Sequence, residues 1–141
     1  MILYLDTSAV VKLYVDEASS DQVRAAVAEA RGCLSHWIAY AETRAALARK
    51  TAESRYAGQL AEWRTEFERD WRNFRTVSVT PMLVRRAGDL AERFGLRGYD
   101  SVHLAAAEAV WRELPGVEFR VVVFDEKLTA AARAMGIPVI S

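Results

Sequence analysis

At 141 residues, 52% hydrophobic and 27% charged, the chain has the size of one ordinary domain and is apolar enough to bury a core without staples, which excludes an extended disordered segment. Nineteen Lys and Arg balance nineteen Asp and Glu, so no global field draws the protein onto a polyanion, and any nucleic-acid binding must come from a local patch. Cys33 is the only cysteine, which excludes an internal disulfide and thiolate-rich zinc sites and fits a reducing cytoplasm.

Met1 to Leu5 brings no basic stretch, long apolar run or small-residue cleavage site before Asp6, so neither secretion nor a membrane span is expected. Ile2 to Leu5 is too short for a helix and reads as a buried strand that delivers Asp6 at its carboxyl end. Val23, Ala26, Val27 and Ala30 fall at helical spacing in Ser20 to Arg31, with Gly32 as the expected stop. Ser35 is the expected cap of a second helix, which carries Glu42 and runs to about Lys50. From Glu53 to Arg75 the positions Leu60, Trp63, Phe67, Trp71 and Phe74 predict one long amphipathic helix. Thr76 to Thr80 alternates as a strand, and Pro81 opens a helix that ends at Phe94 before Gly95. Leu96 to Tyr99 reads as a loop, and Asp100 as the start of an alanine-rich helix, Ser101 to about Glu113. Phe119 to Phe124 is a second buried strand followed by Asp125, a helix from Glu126 to Met135 stopped by Gly136, and a last strand at Ile137 to Ile140. Strands alternating with helices predict an α/β fold, a three-layer α/β/α domain over residues 1–141 with a central parallel sheet of about four to five strands.

In such sheets ligands sit beyond the carboxyl ends of the strands, where Asp6 and Asp125 both fall. Each of these, and Asp100, also has a structural reading as a helix N-cap. Glu42 differs, because its neighbours Ala39, Ala41, Ala45 and Ala46 leave a carboxylate near packed surface, where it needs a partner, an ion pair with Arg44 or Arg49, or a metal. Carboxylate oxygens without thiolates or an evident histidine cluster select Mg²⁺ or Mn²⁺ over Zn²⁺. His103, three residues after Asp100, reads as an outer partner of the acids or as a satisfied buried histidine, and His36 carries no assignment. Thr7 and Ser8 are expected to support Asp6 through their hydroxyls. No phosphate-binding P-loop or Gly-rich dinucleotide fingerprint is present, which argues against ATP and NAD.

Several stretches resemble a known family, the PIN-domain ribonucleases, in particular the VapC-type toxins of prokaryotic toxin–antitoxin pairs. They are Ile2-Leu3-Tyr4-Leu5-Asp6-Thr7-Ser8-Ala9, Glu42 in an early helix, Gly98-Tyr99-Asp100-Ser101-Val102-His103-Leu104-Ala105, and Phe124-Asp125-Glu126-Lys127-Leu128. The resemblance implies a PIN-like fold in which Asp6, Glu42 and Asp100 are the core acids and Asp125, or its neighbour Glu126, the fourth. It also implies Mg²⁺- or Mn²⁺-dependent cleavage of RNA, an antitoxin partner and a homodimer. Ser101 is placed beside Thr7 and Ser8 as a supporting hydroxyl. Among the basic residues, Arg44, Arg97 and Lys127 are candidate RNA contacts by position or helix register. Trp63, Phe67, Trp71 and Phe74 read as a packing stripe rather than a base-stacking platform. Two other readings share the same acids: a metal-dependent phosphatase or phosphoryl hydrolase, and a non-catalytic PIN-like binding module whose acids are caps and ion pairs.

Overall fold

The computed structural model describes residues Met1 to Ser141. The alternating elements are β1 (Ile2–Leu5), α1 (Thr7–Val11), α2 (Ser20–Glu29), β2 (Gly32–His36), α3 (Ala39–Lys50), a 3₁₀ turn (Ser54–Tyr56), α4 (Leu60–Trp71), β3 (Arg75–Val77), α5 (Pro81–Phe94), α6 (Gly98–Glu113), β4 (Phe119–Val122), α7 (Glu126–Ala134) and β5 (Val139–Ile140). All five strands are parallel and lie in the order β3-β2-β1-β4-β5. The chain therefore builds outward from β1 to one side, then crosses over and builds β4 and β5 on the other. Between β1 and β4 the order reverses, which opens a crevice at the carboxyl ends of those two strands.

Side chains alternate across β1, and this fixes the layers. Leu3 and Leu5 enter one core with Ala9, Val10, Leu47, Trp63 and Phe67 from α1, α3 and α4. Tyr4 enters the opposite core with Leu90, Leu104, Ala106, Leu128 and Ala132 from α5, α6 and α7. Full burial of each such leucine contributes about 1.5–3 kcal/mol, so a one-residue slip of β1 is strongly disfavoured. The expected three-layer arrangement with a parallel sheet is what forms.

Helix boundaries follow local chemistry where the sequence carries it. Thr80 caps α5 through Leu83 N–H at 3.2 Å, Pro81 occupies the first turn, and Gly95 ends the helix at φ +64°. Gly136 similarly follows α7 at φ +77°. Four expectations fail. Gly32 does not stop α2, which ends at Glu29; it is the first residue of β2. Ser35 caps no helix, because it lies within β2 and donates its hydroxyl to Leu5 O at 2.8 Å, tying β2 to β1. Glu53 to Arg75 is not one helix: Gly58 takes φ +80° and Tyr56 is pinned by its hydroxyl to Asp16 O at 2.5 Å, so the 3₁₀ turn and α4 are separate. Finally, α6 begins at Gly98 rather than Ser101, which places Asp100 inside the first turn and not at the cap.

Candidate active site

Asp6 follows β1, and its chain amide still bonds to Val122 O of β4 at 3.2 Å, so it sits on the crevice between the two strands. The side chain is 4% exposed. Its Oδ1 accepts from Ala9 N–H at 2.8 Å, capping α1, and from the Ser8 hydroxyl at 2.7 Å, while Oδ2 accepts from the same hydroxyl at 2.9 Å. Burial nevertheless pushes its pKa up, against the lowering by His103 and these donors, and the charge of Asp100 adds to the rise. Asp100 is also raised, first by burial and then by the charge of Asp125, with Glu42 contributing. Each acid thus feels at least one of the others, as carboxylates do when they share a site.

Asp125 caps α7 by accepting from Leu128 N–H at 2.9 Å, and it lines a cleft of about 480 Å³ together with Asp100, Glu126, Arg97 and Lys127. The N-cap reading therefore holds for Asp6 and Asp125 and fails for Asp100, whose side chain caps nothing. A capped carboxylate keeps lone pairs to spare, so capping and ligand binding are compatible.

Glu42 projects from the first turn of α3 toward histidines rather than arginines. Its Oε1 lies 3.2 Å from His103 Nε2 and 3.7 Å from His36 Nε2. The alternative of an ion pair with Arg44 is not taken: Arg44 bonds the Tyr40 hydroxyl at 2.7 Å and Glu68 at 3.1 Å. Burial raises the Glu42 pKa, but the adjacent His103, with His36, outweighs it and the net shift is downward. His103 is buried, with Nδ1 3.0 Å from the Tyr4 hydroxyl and Nε2 3.1 Å from Thr7 Oγ1. His36, at the end of β2, is fully buried against it, the ring centroids 4.1 Å apart. Burial first, then the charge of His103, lowers the His36 pKa to about 3, so the ring is neutral.

Of the two hydroxyls expected on Asp6, that of Ser8 bonds it, whereas that of Thr7 meets His103 Nε2 instead. Ser101 does not support the acids: its hydroxyl donates to Gly98 O at 2.7 Å within its own turn. Arg97 and Lys127 line the acidic cleft. The aromatic stripe packs inward, with Phe67 0% exposed. What sequence reasoning missed is the group His36, Glu42 and His103, whose ligand-type atoms lie within 4.8 Å of one another. His103 was legible as an outer partner of the acids, but His36, which the sequence places in the first turn of a helix, carries no local signal of a partner on α6.

Comparison with known proteins decides the family. The PIN domain model matches residues 3–134. The chain belongs to the PIN-domain family. It is 39% identical to Ribonuclease VapC45 and to Ribonuclease VapC49 of Mycobacterium tuberculosis, each over 96% of this chain and 92% of the relative. Ribonuclease VapC46 of the same organism is 32% identical over 99% of this chain and 96% of its own length. Among solved structures, VapBC2 from Rickettsia felis bound to a promoter DNA fragment superposes with a TM-score of 0.65 at 14% identity, covering 99% of this chain and 98% of that one. A toxin–antitoxin complex from Klebsiella pneumoniae gives 0.62 at 18% identity, covering 99% and 96%. The likeness to these structures establishes the PIN fold for all five strands and their helices. No helix of the PIN-family chain is long and apolar enough to cross a membrane.

Proposed function

We propose that this PIN-domain protein is a metal-dependent endoribonuclease, the toxin of a toxin–antitoxin pair, working from one nuclease domain in the cytoplasm. In this reading Asp6, Glu42, Asp100 and Asp125 form its cation-holding site. The observation that carries it is that Asp100 and Asp125 line one cleft while the charge of Asp100 acts on the buried Asp6 at the crevice between β1 and β4; burial raises both Asp6 and Asp100, and Asp125 adds to the rise of Asp100. Its relatives named ribonucleases share 39% of their residues with it across nearly their whole length.

The donor set fits a hard divalent ion. Buried carboxylates that repel one another are stabilised by a cation, and carboxylate oxygens suit Mg²⁺ or Mn²⁺. Such a cation, when bound, supplies the positive charge that activates water and stabilises the anionic transition state of phosphodiester hydrolysis. The chain does the rest. Ser8 and the Ala9 amide fix the rotamer of Asp6. Asp100 is presented by the first turn of α6 and Asp125 by the start of α7. Of the two candidate fourth acids, Asp125 is the one whose charge acts on Asp100, which favours it over Glu126. Arg97 and Lys127, on the walls of the cleft, provide local cations for RNA phosphates in a chain of zero net charge. By likeness to the toxin–antitoxin complexes, the protein pairs with an antitoxin protein, and the family resemblance adds a homodimer to this reading.

The test is cleavage of a mixed RNA pool by partner-free protein with Mg²⁺ or Mn²⁺, alongside an EDTA control and the Asp6→Asn and Asp100→Asn variants. Cleavage by the wild type and by none of the folded controls is expected. Cleavage that survives EDTA, or hydrolysis of p-nitrophenyl phosphate with no RNA cut under any cation, overturns the reading.

A further inference from the structure

The buried pair His36 and His103 faces one oxygen of Glu42, and the arrangement invites a metal site of two imidazoles and a carboxylate. The hydrogen bonds argue otherwise. His36 Nδ1 accepts from Ala39 N–H at 3.2 Å, so its lone pair is taken and the proton of the neutral ring resides on Nε2. That Nε2 and the buried Glu42 Oε1 it faces at 3.7 Å make no hydrogen bond. His103 Nε2 lies closer, 3.2 Å from the same oxygen, a polar contact without hydrogen-bond geometry, and its own hydrogen bond is with Thr7 Oγ1 at 3.1 Å while Nδ1 bonds the Tyr4 hydroxyl at 3.0 Å. The two ring nitrogens nearest Glu42 thus flank one carboxylate oxygen, and that of His36 carries a proton rather than a lone pair.

We infer that His103 and His36 are positioning residues for Glu42: their Nε2 atoms flank Oε1 at 3.2 and 3.7 Å, with His103 itself fixed by Tyr4 and Thr7, and so hold the carboxylate in the orientation in which it meets a cation. The inference rests on the proposed role of Glu42 as a ligand. Carboxylate ligands are commonly held by outer polar partners, and removing such a partner weakens metal binding roughly 10–100-fold. Thr7, whose Oγ1 lies 3.1 Å from the same Nε2, completes the enclosure on the α1 side.

The experiment is calorimetric titration of Mn²⁺, and separately of Zn²⁺, into partner-free protein, comparing wild type with His103→Leu, His103→Gln and His36→Leu after circular dichroism has verified their folds. Leucine removes the polar contact, whereas a glutamine amide places an N–H near the Nε2 position. His103→Leu is expected to weaken Mn²⁺ binding roughly 10–100-fold, His103→Gln to recover most of it, and His36→Leu to weaken it several-fold. Cleavage by His103→Leu is expected to lose kcat at saturating Mn²⁺ with KM for RNA unchanged. If His103→Leu does not fold, the His36→Leu and His103→Gln affinities decide. Wild-type Mn²⁺ affinity in the folded leucine variants overturns the positioning role while leaving the four-acid site standing. Loss of Zn²⁺ binding in both His103 variants with Mn²⁺ binding intact makes the rings ligands and also overturns it. A wild type that binds no Mn²⁺ overturns the four-acid site and this inference together.

Discussion

Arg86 grips Glu108 through two parallel hydrogen bonds, Nε to Oε2 at 2.8 Å and Nη2 to Oε1 at 2.9 Å, and so staples α5 to α6. Glu108 is nearly buried, its side chain 4% exposed, while Arg86 is 39% exposed and Arg112 adds a second contact at 2.6 Å. Replacing Glu108 with Ala strands a half-buried guanidinium and is expected to cost about 2 kcal/mol, less than a fully buried pair because water reaches the arginine. Urea denaturation of the variant checks this.

The same pair gives a pH dependence. Arg86, through its hydrogen bond, lowers the Glu108 pKa below its unfolded value. Its contribution is complete above the unfolded carboxylate pKa and is lost as pH falls through the lower folded one. Thermal melts of wild type and Glu108→Gln should therefore converge below about pH 4, near and under the usual glutamate range.

Asp6 and Asp100 behave oppositely, because their folded pKa values are raised. A raised carboxyl binds protons more tightly when folded, so its destabilising effect is present at neutral pH and relieved as pH falls through the folded value. Without divalent cation, Asp100→Asn is expected to raise stability by about 1 kcal/mol, a few degrees in Tm. Asp6→Asn should do likewise, since asparagine still caps Ala9 N–H. Both variants should lose cleavage. A loss of stability in metal-free Asp100→Asn counts against the crowded-acid site.

Cation binding should appear as stabilisation of the wild type. At a hundred times the dissociation constant, Mn²⁺ adds about 2.7 kcal/mol, and EDTA reverses it. Asp100→Asn should show little of this gain. The same linkage predicts that cleavage rises from acid to mildly alkaline pH, because protons compete for the carboxylates.

Phe67 tests the aromatic stripe. It lies in edge and tilted contacts with Tyr14, Tyr40 and Trp71, at ring-centroid distances of 5.7, 5.5 and 5.4 Å. Phe67→Ala is expected to cost 3–5 kcal/mol by cavity formation. A nearly neutral stability with weakened RNA binding instead would revive a base-stacking role.

Much of this was legible locally. The short apolar run of β1, the apolar run of β4 with an acid shortly after it, and the glycine stops at Gly95 and Gly136 each encode backbone geometry within a few residues. Hence the parallel sheet, and the placement of Asp6 and Asp125 at its carboxyl rim, could be read directly. The break at Gly58, the true start of α6 and the strand role of Ser35 could not, because each depends on partners in other elements, such as the bond from Ser35 to Leu5 O.

By itself, then, the sequence determined a parallel α/β domain with four acids, because periodicity and turn chemistry are short-range properties. Only the tertiary structure decided that Asp100 lies inside a helical turn, that Arg44 turns away to Glu68, and that Glu42 faces His36 and His103. Those side chains come from β2, α3 and α6, and no local pattern carries the crossovers that stack them; the contact between Tyr4 and His103 spans 99 residues. Burial, and with it every shifted pKa in the site, exists only once the two cores have closed on both faces of β1.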